Sequence, residues 1–199
     1  MKKILIATTN KDKFKVVTYL LDRAGLSKSE YVYQSLDDIN YDGPDKKEQG
    51  SIAKRAEDKA KVVKEYLKEA DFEYIIGIDD GIFIKSKLQE NIKEYIGKIL
   101  YENYLSEGEQ YAFYRAYCVI DRSGNEYKTE IDIPYVYKPK ENAVLKANSY
   151  PLSQVSVPIG HNKALTDLDE NEGNEYVWSY SKAELKKLIY EISQKKNKK

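Results

Sequence analysis

Residues Tyr74 to Ile78 form an uninterrupted apolar run, Tyr-Ile-Ile-Gly-Ile, that ends abruptly in two adjacent carboxylates, Asp79 and Asp80. A strand with no polar alternation must be covered on both faces, which is the environment of an inner strand in an α/β sheet flanked by helices. Ile82 and Ile84 are spaced to continue it. Acidic residues at the end of such a strand lie where open α/β sheets present their ligand sites. Two neighbouring carboxylates that lose hydration are costly unless a cation or hydrogen-bond donor offsets them. A Mg²⁺ site is one reading; a turn in which both point to water is the other.

The rest of the chain supplies the flanking elements. Ile4 to Ala7 is a short apolar strand that breaks into Thr8, Thr9 and Asn10, and Phe14, Val17, Leu20 and Leu21 then recur at helical spacing. Gly25 closes that helix, with Arg23 in its last turn. Tyr31 to Tyr33 reads as a second strand and Asp37 to Gly50 as a long loop. Ser51 is the expected N-cap of a helix reaching Ala70, because Ile52, Ala56, Ala60, Val63 and Leu67 make one apolar stripe. The spacing of Ile92, Tyr95, Ile96, Ile99 and Leu100 predicts a helix over Leu88 to Leu105. Tyr111 to Ile120 and Tyr127 to Tyr137 flank Asp121-Arg122-Ser123-Gly124-Asn125, a hairpin signal, and Pro134 marks the second strand as an edge or a bulge. Residues 138 to 150 read as loop, Val155 to Ile159 is ambiguous, and Asp167 to Gly173 reads as an acidic loop. A last helix is predicted from Ser181 to Ile192, with Ser181 and Glu184 in capping-box spacing. Residues 1–194 are expected to form one domain and 195–199 a basic, disordered tail.

Composition limits the partners. Lys+Arg and Asp+Glu number 33 each, so no net field draws the protein onto nucleic acid or an anionic membrane. The one cysteine, Cys118, has no internal partner and sits in a buried-strand context, as expected of a cytoplasmic protein. The apolar run after Lys2 and Lys3 is too short for a signal peptide or a membrane span, so Met1 is expected to start the mature chain. Tyrosine is frequent, at 19 residues, which suggests a core or interface in which phenol groups reach polar partners.

Three segments carry chemistry. Thr8-Thr9-Asn10-Lys11-Asp12-Lys13 combines hydroxyls, an amide, helix N-terminal amides and a lysine, a set able to cradle a phosphate, though a capped β-to-α turn looks the same. Asp79-Asp80 is the second. The third pairs Glu48, in the loop before Ser51, with Lys59 on the following helix. Alone, both look like ordinary surface charges.

In this order the segments resemble the inosine-triphosphate pyrophosphatase family of non-canonical purine NTP pyrophosphatases. A T-x-N-x-x-K turn is matched by Thr8, Asn10 and Lys13. An E-x-G-(S/T)-(F/I) stretch leading to K-A is matched by Glu48, Gly50, Ser51, Ile52, Lys59 and Ala60. A D-D-S-G-like turn is matched by Asp79, Asp80 and Gly81, without the serine, and Tyr114 to Ile120 resembles the family's hairpin strand. The resemblance implies an α/β fold, a central mixed, twisted β-sheet flanked by helices in an elongated two-lobed shape. It also implies a homodimer and Mg²⁺-dependent hydrolysis of a nucleoside triphosphate to the monophosphate and pyrophosphate. By resemblance Asp79, Asp80 and Lys13 are catalytic, and Glu48 and Asp80 hold metal. Thr8, Thr9, Asn10, Lys13, Ser51, Lys59 and Gly81 then bind substrate and phosphates. Which aspartate is the base stays open.

The C-terminal half departs from the family. Where F-G-Y-D-P is usual the chain reads Tyr150-Pro151-Leu152-Ser153-Gln154, and no Lys or Arg occurs from Ala164 to Ser181. Trp178-Ser179-Tyr180 stands where S-H-R is expected, so Trp178 and Tyr180 are candidates for an aromatic base pocket. His161 is either a substitute base-binding group or a loop histidine. Val16 replaces an acidic residue, and the Leu88 to Leu105 stretch replaces a Gly/Pro-rich loop. Two rival functions remain: a catalytically degenerate nucleotide-binding or regulatory protein of the same fold, and an interaction module built on the tyrosine-rich surface.

Overall fold

The computed structural model describes residues 1–44, 49–67, 71–144 and 150–196. Glu48 lies outside them, as does the end of the helix expected to reach Ala70. Among the described residues seven strands form one mixed sheet: β1 (Lys2–Ile6), β2 (Tyr31–Ser35), β3 (Tyr74–Ile84), β4 (Lys87–Gln89), β5 (Gln110–Asp121), β6 (Glu126–Tyr137) and β7 (Ser156–Pro158). The order is β2-β1-β3-β5-β6-β7, with β4 also paired to β3. β1 runs parallel to β2 and β3, and every other pairing is antiparallel.

Four α-helices among the described residues cover the sheet: α1 (Lys11–Ala24), α2 (Ile52–Tyr66), α3 (Ile92–Tyr101) and α4 (Glu170–Lys196). Asn10 caps α1 by accepting the Lys13 N–H at 2.8 Å, and Ser51 caps α2 by accepting the Lys54 N–H at 3.2 Å. Gly25 ends α1 at a φ of 125°, a conformation that suits glycine.

β3 is the axis of the molecule. Its even-numbered residues Ile76, Ile78, Ile82 and Ile84 pack into a core with Val17, Leu20 and Leu21 of α1 and Leu185 and Leu188 of α4. Ile75 faces the other way, into a cluster with Ile52, Ala56, Ala60 and Val63 of α2. Each fully buried isoleucine stabilises the fold by roughly 1.5–3 kcal/mol. Gly77 permits the close approach of α2, because a Cβ there would lie 2.0 Å from the Ala56 carbonyl oxygen. Several phenols of the core find partners: Tyr137 donates to the Ile99 carbonyl at 3.0 Å, Tyr33 to the Leu26 carbonyl, and Tyr111 shares a hydrogen bond with Ser156.

Three expectations change. The stretch predicted as a helix over Leu88 to Leu105 divides: β3 turns through Lys85 and Ser86, both at positive φ, into β4, and the helix spans only Ile92–Tyr101. That two-residue turn carries no Gly or Asn, so its signal was missing from the sequence. The acidic segment is not all loop. Asp169 accepts the Glu172 N–H at 2.8 Å while Glu172 accepts the Asp169 N–H at 3.2 Å, a capping box that starts α4 eleven residues before the predicted start. Ser181 is interior to α4 and its hydroxyl donates back to the Val177 carbonyl at 2.8 Å. α4 also runs through Lys195 and Lys196, so the start of the expected tail is helical.

Among the described residues, Pro134 lies where β6 has a strand on one flank only, since β7 pairs with Tyr135 to Tyr137. Its carbonyl accepts the Tyr176 hydroxyl from α4. No helix among the described residues is long and apolar enough to cross a membrane.

Candidate active site

β3 changes neighbours midway. On one flank it pairs with β1 through Tyr74 to Ile76 and with β4 from Ile82 to Ile84, so among the described residues no strand covers residues 77–81 there. Asp79 and Asp80 occupy that opening. Because side chains alternate across a strand, the two carboxylates point to opposite faces.

Asp79 faces α2. Arg55 Nε–H donates to its Oδ2 at 2.5 Å and Lys59 Nζ to its Oδ1 at 2.6 Å. Arg55 also donates to the Glu90 carbonyl at 2.5 Å, tying the start of α3 to α2. Asp80 faces α1. Arg115 stands opposite it on β5 and donates through Nε to Oδ1 at 2.6 Å and through Nη2 to Oδ2 at 3.2 Å. Lys13 Nζ approaches Oδ2 at 2.9 Å, and Arg115 Nη2 also donates to the Tyr150 hydroxyl. Burial by itself would push the Asp80 carboxyl up, but the Arg115 guanidinium and the Lys13 ammonium outweigh it and hold the acid well below the usual carboxylate range. Burial pushes the Tyr150 phenol well above its ordinary value.

Two cavities open on these residues. The smaller, about 210 Å³, is bordered by Asn10, Lys13, Arg55, Lys59, Asp79 and Asp80. The larger, about 690 Å³, has Phe113, Ile133, Tyr135 and Val177 among its walls and Asp12, Lys15, Lys140, Asp167 and Asp169 among its polar groups. Asp80, Ile92, Phe113 and Tyr150 border both.

The structure therefore brings together Asn10, Lys13, Lys59, Asp79 and Asp80 from the sequence expectation. Others have different surroundings. Thr8 accepts the Asn10 N–H at 3.1 Å and shapes the turn, Thr9 is exposed, and Ser51 caps α2. Gly81 allows contact with α2, since a Cβ would meet Ile52 Cδ1 at 2.0 Å. None of these four borders either cavity. Glu48 is outside the described residues. The aromatic candidates also sit elsewhere. Trp178 is buried between α4 and α1 with the Arg23 guanidinium 5.1 Å from its ring, while His161 and Tyr180 both pack against Tyr176. The three border neither cavity.

Arg55, Arg115 and Tyr150 were not singled out from the sequence as site residues. Arg55 carried a signal, a cation three residues after Ile52 and directly before Ala56 on the apolar stripe of α2. Arg115 carried none, because its role depends on the register between β3 and β5.

No protein-family model matches the sequence, and no curated protein matches it. Solved structures do. A HAM1 protein from Coxiella burnetii aligns over 98% of this chain and 100% of its own, with a TM-score of 0.63 and 14% identity. The Ham1 protein of Staphylococcus aureus covers 100% of both chains, at a TM-score of 0.56 and 13% identity. A nucleoside-triphosphatase / dITP/XTP pyrophosphatase from Mycobacterium abscessus ATCC 19977 covers 89% of this chain and 94% of its own, at 0.55 and 17%. The fold is Ham1-like. At these identities the likeness is one of architecture, and in this Ham1-like frame the paired cavities lie at the opening beside β3.

Proposed function

We propose that the protein hydrolyses a non-canonical nucleoside triphosphate to the monophosphate and pyrophosphate. The observation that carries this reading is the pair of adjoining cavities with Asp80 on their common border. One is small and walled by Lys13, Lys59 and Arg55, a setting for a phosphate chain, and the other is large and mostly apolar, as nucleoside sites are. The Ham1-like fold agrees with it.

In this mechanism Lys13, Lys59 and the first-turn amides of α1 hold the phosphates, and their charges offset the negative charge that gathers on the leaving pyrophosphate. Asp80 borders both cavities, so it is the carboxylate beside the phosphorus nearest the nucleoside. It orients the attacking water, and it can take up the proton as Lys13 turns from it to the phosphates and the carboxyl becomes less acidic. Asp79 borders only the smaller cavity and keeps Arg55 and Lys59 in place.

The donor set also bears on Mg²⁺. Among the described residues no group of three acidic, histidine or cysteine side chains is placed to hold a metal. Mg²⁺ is usually bound through one or two carboxylates together with substrate phosphates and waters, and Asp80 would be such a carboxylate for an ion that arrives with the triphosphate. Glu48 is the further carboxylate implied by the family resemblance. The chemistry Mg²⁺ supplies when bound is neutralisation of charge on the phosphate oxygens.

A second reading, a nucleotide-binding protein without turnover, is favoured by one observation: both Asp80 oxygens are already engaged by basic side chains. One assay separates the two. Purified protein with Mg²⁺ is given a panel of triphosphates headed by dITP and XTP, for which the M. abscessus protein is named, and pyrophosphate release is scored beside calorimetric binding. Turnover of at least one supports hydrolysis; micromolar binding with no release supports the binding protein.

A further inference from the structure

Arg115 is a buried cation of the site to which the proposed reaction gives no task. Its guanidinium is buried, with 7% of the residue exposed, so a lost partner would not be replaced by water. Its two contacts with Asp80 are unequal. The Nε contact is short, at 2.6 Å, and the Nη2 contact longer, at 3.2 Å. The same Nη2 also donates to the Tyr150 hydroxyl, and the Tyr150 ring lies 5.5 Å from the guanidinium carbon. Tyr150 and Asp80 thus share one nitrogen, and the weaker of the two grips on Asp80 is the one tied to Tyr150.

The lone pairs explain why this matters. A carboxylate offers about four acceptor positions. Oδ2 of Asp80 already takes Lys13 and Arg115 and, at 3.5 Å, a long contact from the Tyr150 hydroxyl, whereas among the described residues Oδ1 takes Arg115 Nε alone. Rotation of the guanidinium about its short Nε contact would free a position on Oδ2 without breaking the pair. Tyr150 borders the larger cavity, so an occupant there touches the ring that can drive that rotation.

We propose that Tyr150 and Arg115 form a relay that couples occupancy of the larger cavity to the freedom of Asp80, so that a nucleoside in place releases the carboxylate for water. Both act as positioning residues. The inference rests on the hydrolase reading of this site, and it gives the enzyme a means of sparing phosphate chains that carry no nucleoside.

Two measurements test it, with ITP and inorganic tripolyphosphate as probes. The first is the NMR signal of the Arg115 Nε–H, identified by its absence from Arg115→Lys. ITP should move it in the unaltered protein, tripolyphosphate should not, and in Tyr150→Phe neither should. The second is turnover. Tyr150→Phe keeps the ring and loses one charged hydrogen bond, so the ratio of kcat for ITP to kcat for tripolyphosphate should fall about tenfold. The KM for ITP should stay within about twofold, and the loss of the hydrogen bond should lower the unfolding temperature modestly while the protein remains folded at the assay temperature. A Tyr150→Phe variant that retains the original ratio and the NMR response, or that changes only KM, overturns the relay. If the unaltered protein releases no pyrophosphate while its Arg115 signal still responds to ITP only when the Tyr150 hydroxyl is present, the hydrolase reading fails and the relay stands.

Discussion

Asp79 and Asp80 are adjacent in the chain, and each is held by one arginine and one lysine, yet the two clusters differ in how they are built. Both cations of Asp79 come from α2, four residues apart, so that cluster fastens one helix to one strand. The cations of Asp80 come from α1 and β5, which are 102 positions apart (Lys13 to Arg115), and its cluster adds the loop bearing Tyr150. A local clamp serves docking, whereas a convergence of separate elements can sense what lies among them. Similar charge pairing on the two faces of β3 therefore predicts different consequences when it is broken.

The sharpest contrast is between Asp80→Asn and Asp79→Asn. The first should lower turnover about a thousandfold while triphosphate binding stays within about threefold, read by pyrophosphate release and calorimetry. The second should cost stability more than it costs the chemical step. Equal losses of kcat would remove the distinction between the two faces. Arg55→Leu comes next: it leaves a buried carboxylate with Lys59 alone and undoes the tie to Glu90, and should lower the unfolding free energy by about 3 kcal/mol in urea titrations.

Acid unfolding gives a smaller effect of defined sign. Asp80 is a stronger acid folded than unfolded, so its contribution to stability is complete above about pH 4, declines as pH falls towards its depressed folded value, and is gone below it. Asp80→Asn should flatten that part of the acid limb. The smallest effect belongs to Lys54→Ala. Lys54 pairs with Glu57 and Asp58 on the exposed side of α2, where its loss should leave the urea midpoint essentially unchanged. A larger loss would mean that outer-surface pairs rival the clamp beneath them.

The same contrast explains what could be read from the sequence. The strand bearing Asp79-Asp80, the caps at Asn10 and Ser51 and the hairpin turn at Gly124 were legible, because each is written within a few consecutive residues. Lys13 and Lys59 were found as site residues through motif order, and both stand on helices with clear starts. Arg115 depended on a pairing across 35 residues with Asp80, which no local pattern encodes. The turn at Lys85 and Ser86 used residues that seldom adopt positive φ, and the acids before α4 looked like loop until their position against its N-terminus was known. Trp178 was misleading for a related reason. Its surroundings are fixed by α1, so an aromatic residue that seemed available for stacking is part of the interior instead.

The interval of β3 between its two neighbours on one flank is made by where β1 stops and β4 begins, not by the identity of the side chains around it. An aperture formed by the main chain survives replacement of nearly everything that lines it. Substitutions along its rim can therefore change what enters without closing it, in a fold that this chain has in common with structures agreeing with it at only 13–17% of positions.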